Sequence, residues 1–240
     1  MDLKGKKIAV LGLGIEGEDV VRFLLKNGAT DIAIFDRKSA AELGTIFQEF
    51  QNKGVAFKLG PDYLKEGLTD FEIVFRSPAF KLSLPELVAA KKAGTVITSD
   101  TKLFFDLCPA KIIGVTGTKG KGTTATLIYE ILKATGKKIF LAGNIGQPML
   151  ALLPKLTKKD WAVLELSSFQ LQDLQDVSPH IAVVLFITSE HLDYHKDTAE
   201  YIEAKSHIVR YQAKSNFAVL NADNPTAMNF ARLTPAKKYY

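Results

Sequence analysis

Through the first hundred residues, short apolar runs of strand length alternate with stretches whose apolar positions recur every three to four residues. Ile8–Leu11, Ile32–Phe35, Val55–Leu59, Ile73–Phe75 and Val96–Thr98 read as strands, with helical patterns between them such as Asp19–Lys26 and Leu84–Ala93. That alternation predicts an α/β fold built on a parallel sheet. A second series starts at Lys111: an apolar strand through Ile112, Ile113 and Val115, a glycine-rich turn, and a helix over Leu127, Ile128, Ile131 and Leu132 that Gly136 closes. Strands follow near Lys138–Leu141, Trp161–Leu166, Ile181–Ile187 and Phe217–Leu220. Pro109 follows a short helical turn, so the boundary falls within Ser99–Ala110 and two domains are expected, 1–103 and 104–240.

Both series carry glycines where the first strand meets its helix. In the second, Gly114-Val-Thr-Gly-Thr-Lys-Gly-Lys-Gly-Thr-Thr124 links strand to helix. Glycines let successive N–H groups curl around a phosphate, and the helix N-terminus adds positive potential. Gly117, Thr118, Lys119, Gly120, Lys121, Gly122, Thr123 and Thr124 are therefore candidate nucleoside-triphosphate contacts. Lys121 would reach the terminal phosphates and a hydroxyl would ligate Mg²⁺. The pattern departs from the general P-loop in two places: its first glycine should stand at Val115, and Gly122 occupies the usual Ser/Thr position. In the first series, Gly12-Leu-Gly14-Ile-Glu-Gly17 follows the first strand, and Asp36 ends the second, nineteen residues after Gly17. This is the dinucleotide-binding spacing. The turn recognises a pyrophosphate rather than nicotinamide, and Glu16 is an awkward neighbour for such an anion.

Composition narrows the classes. At 240 residues, 47% hydrophobic and 24% charged, the chain suits a globular protein with one large or two modest cores. It has no run of about 18 apolar residues and no secretory apolar region near Met1, so a cytoplasmic location is expected. The single cysteine, Cys108, excludes an intrachain disulfide. A net charge of +5 suits anionic ligands, but the lysines are scattered with no aromatic-interleaved basic block, which argues against nucleic acid.

Acidic and imidazole groups collect at predicted strand ends. Glu165 interrupts the end of the apolar run Trp161-Ala-Val-Leu-Glu-Leu166, where a carboxylate is costly unless paired or metal-bound. Ligand sites in open α/β sheets lie at the carboxyl ends of strands, which brings in Ser167 and Ser168. The next strand leads to Thr188-Ser-Glu-His191-Leu-Asp193-Tyr-His195. Oxygen ligands with one imidazole fit Mg²⁺ rather than zinc. His180 and His207 lack such a context, and His195 is undecided. Lys205 shares a helical face with Ile202 and Val209, either snorkelling to solvent or pointing into the active-site cleft.

Together these residues resemble the Mur ligases, the ATP-dependent amide-forming enzymes of peptidoglycan precursor synthesis. The resemblance covers the N-terminal turn, Arg76-Ser-Pro78, Thr116–Lys121, Gly143-Asn-Ile-Gly146, Glu165-Leu-Ser-Ser-Phe-Gln-Leu171, His191-Leu-Asp193 with Lys205, and Asn221-Ala-Asp223. The segment Glu165–Leu171 is most like the D-glutamate-adding members. The resemblance implies a Rossmann-like domain for the UDP substrate over 1–103, and over 104–240 the N-terminal part of a P-loop ATPase-type α/β domain. It implies ATP and two Mg²⁺ as cofactors, UDP-N-acetylmuramoyl-L-alanine and D-glutamate as substrates, and an acyl-phosphate intermediate. Lys121 would steady the ATP phosphates, Thr123 and Glu165 would serve one Mg²⁺, and His191 the second. Lys205 matches a lysine that this family carbamylates into a metal-binding anion. Gly14, Ile15, Asp36, Arg37, Ser77, Asn144, and Ser167 or Ser168 would contact the muramoyl nucleotide.

Several positions depart from the family pattern. Gly122 shifts the hydroxyl role toward Thr123, Ala79 stands for a usual glycine, and Phe186 stands for a common asparagine. Arg37 and Glu16 differ from the usual substrate-side residues. The chain stops at Tyr240, so the resemblance implies a truncated, monomeric ligase that binds the UDP substrate without completing ligation. Other readings are a folylpolyglutamate synthetase, which lacks the long glycine-fingerprint domain, and a nicotinamide oxidoreductase, which leaves the P-loop, Glu165 and His191 idle. A non-catalytic UDP-sugar-binding module is the alternative outside the enzymes.

Overall fold

Eleven strands, all paired in parallel, form two separate sheets in a computed structural model that describes residues 3–188 and 194–240. The chain divides into two compact units, Met1–Leu103 and Phe104–Tyr240.

The first unit runs β1 (Lys7–Leu11), α1 (Ile15–Lys26), β2 (Asp31–Asp36), α2 (Ala40–Leu43), α3 (Thr45–Gln51), β3 (Ala56–Leu59), β4 (Ile73–Arg76), α4 (Pro85–Lys92) and β5 (Val96–Thr98). Its sheet order is β3-β2-β1-β4-β5, so the chain steps outward from β1 and then crosses to its other side. The crevice between the carboxyl ends of β1 and β4 is the topological switch point, the place where such sheets bind ligands. Strands β1, β2 and β4 read as continuous apolar runs because helices cover both faces of a parallel sheet. Ala9, Leu11, Ala33, Phe35, Val74, Leu87 and Ala90 pack into one core cluster.

Helix α5 (Asp100–Leu107) contains the division between the units. The second unit continues with β6 (Lys111–Thr116), α6 (Lys121–Ala134), β7 (Ile139–Gly143), a 3₁₀ turn at Leu150–Lys155, β8 (Trp161–Glu165) and α7 (Ser168–Leu171). It ends with β9 (Ile181–Val184), α8 (Thr198–Arg210), β10 (Phe217–Leu220), α9 (Pro225–Asn229), a 3₁₀ turn at Phe230–Arg232 and β11 (Lys237–Tyr239). The order β11-β10-β9-β6-β8-β7 sets β6 between β8 and β9, so the loop after β6 is flanked by the ends of both. Ile113, Val115, Ala125, Ile139, Val163 and Val183 form this unit's core.

Several boundaries differ from the sequence reading. Helix α1 starts at Ile15 rather than Asp19, because Gly14 caps it and its first turn exposes Ile15 and carries Glu16 and Glu18. Strand β9 stops at Val184 rather than Ile187. Beyond it, Leu185 still donates its N–H to Thr116 at 2.9 Å, but Phe186 turns its carbonyl to Thr118. Strand β11 is short and polar, so nothing in its own pattern marks it; its pairing with β10 supplies the bonds.

Candidate active site

The turn after β1 is held by the sheet beneath it. Gly12 donates its N–H to Phe35 O at 2.8 Å and has φ +84°, a left-handed conformation that favours glycine. A Cβ on Gly17 would lie 2.0 Å from Gly12 O, so that glycine is what lets α1 close onto the turn. Asp36, buried at the end of β2, accepts the Leu13 N–H at 2.7 Å on one carboxylate oxygen and the Lys38 N–H at 2.8 Å on the other. It is therefore the post that fixes the turn, with further lone pairs available to a ligand.

Above the turn lies an open groove of about 670 Å³. Gly14, Asp36, Arg37 and Ser77, four of the sequence candidates, line it, as do Gly12, Leu13, Ala79, Lys38, Lys81, Tyr63 and Phe80. Ile15 is 76% exposed beside Gly14 and does not line it. Three cationic side chains with a Tyr63–Phe80 pair at 6.3 Å fit a ligand that is anionic at one part and planar at another. Burial, with the Asp36 and Glu86 charges nearby, pushes the Tyr63 phenol up. Glu16 turns one carboxylate oxygen inward, into a small cavity shared with Arg76 and Asp100, which relieves its conflict with an anion at the turn.

In the second unit the loop Gly117–Gly120 leaves β6 and enters α6 through Gly120, left-handed at φ +83°. Neither α1 nor α6 has a side-chain cap, whereas Ser167, Asp197 and Asn224 cap α7, α8 and α9. The first turn of α6 thus has no side-chain cap hydrogen bond, which leaves its N–H groups to a ligand. A Cβ on Gly117 would come within 2.8 Å of Leu185 Cβ, so the loop sits directly against the chain leaving β9. Lys121 folds back and donates to Thr118 O at 2.9 Å. Thr123 is exposed on the first turn of α6, and Lys119 is exposed in the loop.

Glu165 is 5% exposed at the end of β8, and a Cβ on Gly122 would stand 3.1 Å from its Oε2. Gly122 thereby leaves room for a carboxylate beside the start of α6, a physical reason for the missing Ser/Thr. Asn144 donates its backbone N–H to Glu165 O at 3.0 Å and its side-chain amide to Glu165 Oε1 at 3.4 Å. Lys205 is 2% exposed and does not snorkel: it donates to Gly117 O at 3.0 Å and Thr116 Oγ1 at 3.3 Å. Lys121, Gly122, Glu165, Asn144, Thr116, Gly117 and Lys205 are thus brought together around one loop.

The remaining candidates divide. Ser167 caps α7 through a reciprocal pair with Gln170, and Ser168 is buried with its hydroxyl on His195 Nε2 at 2.9 Å. His195, undecided from sequence, is 1% exposed, and its Nδ1 meets Glu200 at 3.3 Å. His207 is half-buried against Leu171 O, and burial lowers its pKa, opposed by that hydrogen bond and by Glu203. His191, the expected ligand of a second Mg²⁺, lies outside the described residues. Among the described residues no three His, Cys, Asp or Glu groups form a metal cluster. One buried carboxylate beside hydroxyls and an uncapped helix end fits Mg²⁺, an ion that keeps waters and phosphate oxygens as ligands. Thr118 is among the sequence candidates, but Tyr201, whose hydroxyl meets the Thr118 hydroxyl at 3.0 Å, is not; the available signal is that Tyr201 stands four residues before Lys205 on one helix.

Comparison with known proteins adds to this geometry. The Mur ligase middle domain matches residues 115–240, and the Mur ligase MurD-like, N-terminal domain matches residues 6–99. The UDP-N-acetylmuramoylalanine--D-glutamate ligase of Clostridium kluyveri is 46% identical over 222 residues, covering 92% of this chain and 48% of the relative. Its counterpart in Clostridium acetobutylicum is 46% identical over 228 residues, covering 95% and 49%. The chain spans about half the length of the curated relatives it matches. Among solved structures, UDP-N-acetylmuramate:L-alanyl-gamma-D-glutamyl-meso-diaminopimelate ligase from Neisseria meningitides aligns with a TM-score of 0.62 at 17% identity, over 97% of this chain and 77% of that one. UDP-N-acetylmuramate-alanine ligase from Thermotoga maritima aligns at 0.53 and 22% identity, over 94% and 51%. At these identities the likeness is one of fold.

Proposed function

The chain belongs to the Mur ligase family, and from that premise we propose that it carries the nucleotide-handling half of a ligase that joins D-glutamate to UDP-N-acetylmuramoyl-L-alanine. The observation that carries the reading is the buried Glu165 carboxylate set against Gly122 at the mouth of an uncapped phosphate loop, with Lys205 on the other side of that loop. A dehydrogenase has no use for this arrangement.

In this reading the first unit binds the muramoyl nucleotide. Arg37, Lys38 and Lys81 face its pyrophosphate, the Gly12–Gly14 turn admits it closely, and Tyr63 and Phe80 flank a ring. The second unit binds ATP with Mg²⁺. Bound there, ATP would supply the phosphoryl group that converts the substrate carboxylate into an acyl phosphate, leaving ADP; attack of the D-glutamate amine on the acyl carbon would then form the amide and release phosphate. The protein's share is positioning and charge neutralisation. Lys121 would exchange Thr118 O for phosphate oxygens, and the N–H groups of Lys121, Gly122 and Thr123 would donate to them. Glu165 and the Thr123 hydroxyl would hold Mg²⁺, Asn144 would keep the Glu165 carboxylate aimed, and His191 and a carbamylated Lys205 would serve a second ion. Ser167, half-buried at the end of β8, would meet the muramoyl substrate. Peptidoglycan precursor synthesis in the cytoplasm, by a monomer, completes the proposal; among the described residues no helix is long and apolar enough to cross a membrane.

Calorimetric titration with UDP-N-acetylmuramoyl-L-alanine, beside NADH, tests this. Micromolar binding of the muramoyl nucleotide and none of NADH is expected. Binding of NADH alone would overturn the reading in favour of an oxidoreductase.

A further inference from the structure

Thr118 stands at the crown of the phosphate loop, yet its side chain is 5% exposed and turned away from solvent. A threonine hydroxyl has one proton to donate and two lone pairs. Here it donates to Thr188 O at 3.3 Å and accepts the Thr188 N–H at 2.9 Å. The Tyr201 hydroxyl lies 3.0 Å from the same oxygen, so the two hydroxyls share a hydrogen bond whichever of them donates.

Tyr201 has no exposed surface. On α8 it precedes Lys205 by one helical turn, and the Lys205 ammonium sits 4.7 Å from its ring centroid. The imidazole of His195 packs edge-on against the same ring at 5.5 Å and 70°. His195 is in turn pinned between Ser168 and Glu200. Glu200 as a carboxylate can only accept, so Nδ1 is the donor on that side of the ring. The ring of Tyr201 is therefore wedged between two groups that are themselves held in place, with its hydroxyl on Thr118.

We propose that Tyr201 is a positioning residue for nucleotide binding: it fixes Thr118, and through Thr118 the curvature of the phosphate loop. The inference rests on the nucleotide reading above and deepens it. Two further bonds meet the same residue: the Thr118 N–H donates to Phe186 O, on the chain leaving β9, at 2.8 Å, and the Thr118 carbonyl accepts from Lys121 at the start of α6. With the hydroxyl clasped by α8 and the N–H on Phe186 O, two of the polar groups of Thr118 are committed, while its carbonyl holds the Lys121 ammonium that phosphate would take over. The N–H groups that follow it, toward Gly122, are the ones left to meet phosphate. A buried aromatic that served packing alone would support the fold equally well as phenylalanine.

The test is a double-mutant cycle on MgADP affinity, measured by calorimetry on the 240-residue chain with melting temperature recorded for each variant. Tyr201→Phe keeps the ring against Lys205 and His195 and removes only the hydroxyl; MgADP affinity should fall about fivefold, the size of one neutral hydrogen bond. Thr118→Val should fall at least as far, and the double variant no further than Thr118→Val alone. Thr118→Ser, which keeps the hydroxyl, should lose less affinity than Thr118→Val. Wild-type affinity in Tyr201→Phe, whatever its melting temperature, would overturn the proposal, as would simple additivity in the cycle. Binding by Thr118→Ser as weak as that of Thr118→Val would overturn it as well. A wild-type chain that binds no MgADP would overturn the nucleotide reading itself, and this proposal with it.

Discussion

The two units carry the same device, a glycine turn between a central strand and its helix, and employ it oppositely. In the first, the decisive glycine serves backbone packing: Gly17 sits where a Cβ would lie 2.0 Å from Gly12 O, while Gly12 takes a left-handed φ of +84° beside the Phe80 ring. A single carboxylate, Asp36, holds that turn. In the second, the glycine nearest the chemistry, Gly122, makes room for a side chain, Glu165. There the turn is ringed by the buried polar groups Thr116, Thr118, Glu165 and Lys205. Burying such groups is costly unless each is partnered. A turn that only has to admit a ligand needs few of them, whereas one that has to hold phosphates and a metal in register needs many. The difference shows why a glycine pattern alone says so little about function.

The largest expected effect falls on the first turn. Gly17→Ala should destabilise its unit by about 3 kcal/mol, because the methyl meets backbone that cannot rotate away. Gly14→Ala, where nothing lies within 4 Å of the added carbon, should cost less than about 1 kcal/mol. The chain's one tryptophan, Trp161, lies in the second unit, so its fluorescence follows that unit while far-UV circular dichroism follows both. Urea titration of Gly17→Ala should split the two signals. A shift of both midpoints together would break the separation of the two turns.

Asp36→Ala comes next. It strands the Leu13 and Lys38 N–H groups, and about 2 kcal/mol should be lost in the dichroism transition, with Trp161 unmoved. Gly122→Ala should show the reverse profile. The added methyl meets the movable end of Glu165, so stability changes by about 1 kcal/mol or less, while Mg²⁺-dependent nucleotide affinity falls about tenfold. An unchanged affinity would mean that Glu165 has no part in holding the ion.

Asp100→Asn alters the sign of a response rather than its size. Asp100 is buried next to Asp19 and Glu16, with Arg76 lining the same cavity, and burial followed by those two acids raises its pKa well above the ordinary value. The folded state therefore holds this proton more tightly than the unfolded chain. Stability contributed by Asp100 is full below about pH 4 and is lost as pH climbs toward the raised value. Asp100→Asn should accordingly become the more stable protein as pH rises from 4, read from urea midpoints across that range.

Much of this architecture was legible because parallel strands buried on both faces leave uninterrupted apolar runs, as in Ile8–Leu11 and Trp161–Leu164. Helix starts were less so: Gly14 caps α1 without a side chain, and Ile15, exposed at its first position, hides the amphipathic period. β11 exists only through its partner, since Lys237-Lys-Tyr239 carries no strand pattern of its own. At the site, spacing marked Lys121, Glu165 and Lys205 as chemistry-bearing. Spacing allows Lys205 to point outward or inward, and its hydrogen bond to Gly117 O at 3.0 Å fixes it inward. The clasp of Tyr201 on Thr118 joins residues 83 apart, a contact that no local pattern encodes. Gly122, a defect when set against a motif, made sense only once Glu165 stood beside it.

The most direct test of two turns with two tasks is a pair of titrations on Lys121→Ala. The account predicts that this chain binds UDP-N-acetylmuramoyl-L-alanine as wild type does and has lost MgADP. Loss of the muramoyl nucleotide together with MgADP, or retention of both, would contradict it.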